Sequence, residues 1–97
     1  MAIKIVVACG GGIFTTTVVT DKIIEILRKE GIKHRVTPAK ITEVRNINDA
    51  DIIVVTGKTQ EKNRHGIPVM IGMPLFTGIG EEEFTKDFLQ KVREISS

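Results

Sequence analysis

The residue types best suited to chemistry lie together near the start of the chain, in Cys9-Gly10-Gly11-Gly12-Ile13-Phe14-Thr15-Thr16-Thr17. Cys9 is the single thiol of the sequence. It follows an apolar, β-branched run, Ile3–Ala8 (IKIVVA), that reads as a strand buried on both faces. Gly10, Gly11 and Gly12 tolerate the dihedrals that a nest of converging backbone amides needs. A helical hydrophobic period begins by about Thr16, so free N–H groups and a positive helix dipole face the loop. Thr15, Thr16 and Thr17 add hydroxyl donors and offer helix caps. A thiol so placed ionises more easily than a free cysteine and becomes a nucleophile. Residues Gly10 to Thr17 therefore read as a cradle for a tetrahedral oxyanion, with Cys9 as the attacking group. A plainer reading also fits: a cysteine in an apolar strand is often a small buried hydrophobe, and glycines after a strand often serve only the turn.

Comparison with known phosphate loops narrows the chemistry. No Gly-Lys-Ser/Thr follows the glycines, so the loop is not a nucleotide P-loop. Gly10, Gly12 and Thr15 match a dinucleotide fingerprint poorly, and no acidic residue ends the second predicted strand. A cysteine-dependent phosphatase would carry arginine six residues after the cysteine, where its guanidinium clamps the transferring group. Thr15 stands there instead. A site of this kind can accept a phosphoryl group and pass it on, but is poorly equipped to hydrolyse it. A phosphatase and a non-catalytic anion-binding module remain the alternative readings.

The elements that must position this loop follow from periodicity. Val19, Ile23, Ile26 and Leu27 form a helical stripe, with Asp21 early in the helix, Arg28 and Lys29 in its last turn and Gly31 as the stop. Ile32–Thr37 reads as a second strand halted by Pro38, and residues 39–46 as a short helix on the spacing of Ile41, Val44 and Ile47. Asp51–Thr56 (DIIVVT) is a buried third strand, residues 57–66 an exposed polar loop, and Pro68–Ile71 a fourth strand. Thr77, Gly78 and Gly80 keep the next stretch loop-like. Glu81, Glu82 and Glu83 open a last helix whose stripe is Phe84, Phe88, Val92 and Ile95. Such alternation predicts an α/β fold: a four-stranded parallel open sheet with helices on both faces, Rossmann-like or flavodoxin-like, forming one domain over residues 1–97. Ligands in such sheets bind at the carboxyl ends of the strands.

Composition excludes other classes. Of the 97 residues 41% are hydrophobic and 27% charged, which argues against disorder. The net charge of +2, with phenylalanines as the only aromatics and none in a basic stretch, argues against nucleic acid. Cys9, His34 and His65 have no metal-ligand spacing. No apolar run approaches the roughly 20 residues a membrane helix needs, and the N-terminus lacks a secretory h-region. A single cysteine suits a reducing cytoplasm. His34 reads as a solvated surface residue, and His65, with Lys58, Lys62 and Arg64, as a mobile surface loop, the alternative being a basic loop at the Cys9 end that steers toward acidic partner surfaces.

The cysteine loop, with Ile67-Pro68-Val69, Gly72-Met73-Pro74 and Thr77-Gly78-Ile79-Gly80, resembles the enzyme IIB component of the bacterial sugar phosphotransferase system, nearest its galactitol-type branch. The family expects threonine-serine after the loop, where this chain has Thr15-Thr16. The resemblance implies that Cys9 takes a phosphoryl group from a histidine of a IIA partner. It further implies delivery to a sugar or polyol carried by a IIC membrane partner, with no cofactor, by a cytoplasmic protein transiently at the membrane.

Overall fold

The computed structural model describes residues 2–9, 13–56 and 62–96, with the backbone alone at Cys9, residues 13–16 and Ser96. Gly10, Gly11, Gly12 and Lys58 lie outside the described residues, as do the side chains of Cys9, Ile13, Phe14, Thr15 and Thr16.

The first strand, β1 (Ile3–Cys9), leads to helix α1 (Ile13–Lys29), then to β2 (His34–Lys40). A 3-10 helix (Ile41–Asn46) connects to β3 (Ile52–Val55), and β4 (Val69–Ile71) precedes α2 (Met73–Thr77) and α3 (Glu81–Ser96). The strands form one sheet of order β2-β1-β3-β4, every neighbouring pair parallel. The register runs Ala8 with Ala39 and Val55, and Val55 with Ile71.

Alternation along β1 divides the core in two. Ile3, Ile5 and Val7 pack with Val19, Ile23 and Leu27 of α1 and with Phe84, Phe88 and Val92 of α3. Val6 and Ala8 face the other side, where Val44 of the 3-10 helix, Ile41, Ile47 and Ile67 cover them. One face therefore carries both long helices, and the other carries the 3-10 helix and the segment before β4. The stripes predicted for α1 and α3 are the buried ones, except that Ile26 is half-buried and Ile95 in the final turn is exposed. Helix α1 ends at Gly31 (φ +67°), where Gly31 N–H reaches the Arg28 carbonyl and Ile32 N–H the Leu27 carbonyl. That paired closure needs a left-handed residue, which glycine supplies without a Cβ penalty.

Four features differ from the sequence reading. Helix α1 begins at Ile13, so Thr15, Thr16 and Thr17 lie inside it rather than capping it, and Asp21 falls at its middle. Pro38 does not halt β2 but sits within it, opposite Val7. Ile3 N–H donates to the Lys33 carbonyl, so the odd-numbered residues of β2 turn their amides to β1 and the even-numbered ones turn outward. β2 is an edge strand, and Pro38 lacks only an N–H the sheet does not use. Residues 39–40 accordingly extend β2, and the short helix starts at Ile41. Met73–Thr77 makes a helical turn, with Pro74 in its first turn and Gly78 closing it at φ +81°.

The fourth difference concerns Asn63, which the sequence places in an exposed loop and the structure buries. Its side-chain amide donates to the carbonyls of Val44 (2.8 Å) and Ile47 (2.7 Å). Its Oδ1 accepts from the N–H groups of His65 (2.8 Å) and Ile67 (3.3 Å). One side chain thus satisfies carbonyls at the end of the 3-10 helix and fixes the turn that feeds β4.

Close approach fixes β4 on its other side. A Cβ built on Gly72 would stand 2.5 Å from Val54 Cγ1 and 3.3 Å from Val19 Cγ1. Its N–H bonds the Val55 carbonyl at 2.7 Å. Glycine lets β3, β4 and α1 meet there. Gly72→Ala should destabilise the protein by about 1–3 kcal/mol through overpacking. Asn63→Ala should cost about 2–3 kcal/mol by leaving buried carbonyls without donors. Urea unfolding of both variants checks the two values, and wild-type midpoints would show that neither packing point matters.

Candidate functional site

The route of the chain places a switch point between β1 and β3, at the carboxyl end of the sheet. From β1 it passes through α1 on one face to reach β2. From β2 it passes through the 3-10 helix on the other face, behind β1, to reach β3. The connections at β1 and β3 therefore run in opposite directions, and at such a switch point the carboxyl ends of the strands are left open. Cys9 is the last residue of β1, at this point.

The register shows what stands beside it. Lys40, the last residue of β2, pairs with Cys9. Thr56, buried, follows Val55 of β3 and donates its N–H to the Ala8 carbonyl at 3.0 Å. Gly72 follows Ile71 of β4 and enters α2. The first residue of α1 is Ile13, so the amino end of a 17-residue helix begins close behind Cys9 in sequence. Cys9 therefore ends β1 and α1 starts four residues later. Of the loop residues, Ile13, Phe14, Thr15, Thr16 and Thr17 belong to that helix, with Thr17 exposed.

His34 and His65 do not join this row. His34 begins β2 at the opposite end of the sheet, with Nδ1 2.9 Å from the Ile32 carbonyl. His65 lies on the crossover before β4, next to Arg64, whose N–H bonds the Arg45 carbonyl of the 3-10 helix. Lys62 and Arg64 are exposed on that same crossover. The opposite end also holds Lys4 and Asp49, 2.8 Å apart. The hydrogen bond and charge of Lys4 hold the exposed Asp49 carboxyl below its ordinary range, with desolvation opposing and Arg35 adding weakly.

Glu81 meets Lys22 of α1 at 3.3 Å, and the acidic first turn of α3 complements its dipole. Lys40 and Thr56 are the members of the row that sequence reasoning missed. Pro38 reads as a strand stop, which puts Lys40 in the following helix although it is the last residue of β2. Only strand register could have shown it beside Cys9. No group of three or more metal-binding side chains occurs among the described residues.

Comparison with known proteins agrees with this architecture. Residues 4–86 match the family described as the PTS system lactose/cellobiose specific IIB subunit. The provisionally named phosphotransferase enzyme IIB component SgcB of Escherichia coli K12 is 36% identical over 80 residues, spanning 81% of this chain and 85% of that one. The galactitol-specific EIIB component of the same strain is 29% identical over 86 residues, 89% of this chain and 92% of its own. In fold, the lactose-specific IIB domain of Streptococcus pneumoniae superposes over 100% of both chains with a TM-score of 0.61 at 18% identity. The chain belongs to the IIB family of the sugar phosphotransferase system, a family of phosphotransferases that serve sugar transport.

Proposed function

We propose that Cys9 is the phosphoryl acceptor of this IIB protein, charged by a phosphohistidine of a IIA partner. It then delivers the group to a sugar or polyol held by a IIC membrane partner. The observation that carries this reading is the position of Cys9 at the end of β1, at the switch point of the sheet, with α1 starting at Ile13. In this reading the backbone from Gly10 to Gly12 and the start of α1 hold the phosphoryl oxygens. Both transfers are in-line displacements that depend on positioning and electrostatic stabilisation. The reading needs no metal or organic cofactor.

A galactitol-like polyol is the acceptor we favour. Support comes from relatives whose names carry that specificity across 89% of this chain. We assign the protein to the cytoplasmic side of the membrane, working against IIC. No helix among the described residues is long and apolar enough to cross a bilayer.

A protein donor must lay its surface against the Cys9 end, and the chain offers an apolar one. Residues 66–80 carry no charged side chain, and Ile71, Phe76 and Ile79 are exposed there, Ile79 by 81%. Depletion of charge with exposed large apolar groups is the composition of an interface core. We assign this rim to the IIA partner.

Cys9→Ser should abolish labelling from phosphoenolpyruvate through the general phosphotransferase proteins and IIA, with the circular dichroism spectrum unchanged. Retained labelling of the serine variant excludes Cys9 as the acceptor. The isolated wild-type protein should show negligible turnover of an aryl phosphate, because Thr15 replaces the phosphatase arginine, and Cys9-dependent hydrolysis would reverse this assignment. Ile79→Asp should leave the melting temperature within about a degree, since surface changes are usually near neutral. It should raise the IIA concentration needed for half-maximal labelling about tenfold, and an unchanged value removes this rim from the interface.

A further inference from the structure

A phosphorylated cysteine carries up to two negative charges, and backbone amides oppose them with partial charges only. Among the described residues, the open end of the sheet holds few full charges to help. Among the described strand-end residues Cys9, Lys40, Thr56 and Gly72, residues 13–20 of α1 and all of α2, Lys40 is the only charged one. The next described acids after these segments are Asp21, exposed one residue further along α1, Glu43, exposed in the 3-10 helix, and Glu81, held by Lys22.

We propose that Lys40 is the phosphoryl-binding cation of this site, its ammonium facing the phosphoryl group carried by Cys9. The inference rests on the reading of Cys9 as acceptor. Three observations converge on it. The register pairs Lys40 with Cys9, and paired residues on parallel neighbours stand about 4.8 Å apart. Val36 packs into the core on the α1 side and Ala39 into the core on the other, so alternation puts Lys40 on the α1 face. The chain leaves β1 for α1 on that same face. Lys40 is exposed and takes part in none of the ion pairs among the described residues, so its charge is not committed elsewhere.

The chemistry suits lysine. The Cys9 thiol first loses its proton to solvent. The thiolate sulfur then attacks phosphorus, so that an S–P bond forms as the P–N bond to the donor imidazole breaks. The P–N electron pair returns to the ring nitrogen, which takes up a proton. On delivery a sugar hydroxyl oxygen attacks phosphorus, the S–P pair returns to sulfur, and the hydroxyl proton passes to solvent. Lys40 exchanges no proton in either step. Its charge favours the thiolate before transfer and the phosphoryl oxygens during it. A point charge on a flexible four-carbon stem can follow the group as it moves, which a rigid guanidinium fork does less readily.

Two readouts test this on the full-length protein. The pH profile of Cys9 alkylation by iodoacetamide needs no partner. The rate of labelling by phosphorylated IIA reports the transfer itself. Lys40→Ala and Lys40→Gln should move the alkylation midpoint up by about half a pH unit or more, and slow labelling by about tenfold. Lys40→Arg should restore most of both, with thermal melts matching wild type throughout. Wild-type profiles and rates in Lys40→Ala would overturn the role, as would equal losses in Lys40→Arg and Lys40→Ala. Loss of label in Cys9→Ser beside wild-type rates in Lys40→Ala rejects Lys40 alone. Label retained by Cys9→Ser rejects the acceptor reading and this inference with it.

Discussion

The structure depends on β1 being buried on both faces between two parallel neighbours. Ile5, Val7 and Ala8 are fully buried, and Ile3 and Val6 nearly so. A strand in that position must receive crossovers from both faces, since parallel neighbours cannot be joined by a tight turn. The short chain meets this demand with α1 on one side and the 3-10 helix on the other. The opposed directions of those two connections make the carboxyl end of β1 a switch point of the sheet. The same apolar pattern that stabilises the sheet thereby determines where Cys9 stands. Packing and site have one cause.

Much of this was legible in the residues because their periods are unambiguous. Ile3–Ala8 and the DIIVVT run could be little else than buried strands, and the stripes of α1 and α3 match the burial found. The misreadings came where a local signal met a tertiary circumstance it could not know. Pro38 signals a break, yet at an edge strand its missing N–H costs the sheet nothing. Asn63 sits in a polar run, and nothing local distinguishes it from its exposed neighbours. Burial became affordable only because the carbonyls of Val44 and Ile47 wait for its amide. Thr15 to Thr17 look like caps, and the helix simply starts earlier, at Ile13. The Cys9 row was half legible: the thiol and the helix behind it from sequence, Lys40 and Thr56 only from register.

The second face of the sheet shows how a small protein economises on secondary structure. Two long helices cover one side, but the other has a six-residue 3-10 helix and a stretch before β4 with no repeating structure. A 3-10 helix has poorer hydrogen-bond geometry than an α-helix and rarely stands alone. Here Val44 anchors it in the core, and Asn63 accepts the duty of satisfying its end. The crossover that carries Lys62, Arg64 and His65 is tied to the fold through this amide and through the Arg64 N–H bond to the Arg45 carbonyl. Its basic side chains remain free to face solvent while its backbone is held.

A phosphoryl carrier has a different electrostatic requirement from a hydrolase. An enzyme that destroys its phosphoenzyme gains from a rigid bidentate clamp, because every contact can be kept through both transition states. A carrier must accept the group from one protein and lose it to another, so tight binding of the resting phosphothiol would raise the barrier to release. Amides at a helix start supply partial charges that need no reorganisation, and one mobile ammonium supplies a full charge that solvent also screens. Thr15 in place of arginine, and a lysine on the adjoining strand rather than in the loop, are consistent with such a compromise. On the proposed reading, a site that binds phosphate weakly would suit a carrier. The remaining specificity falls, on the same reading, to the surfaces that meet, and the uncharged segment 66–80 is the one assigned to them.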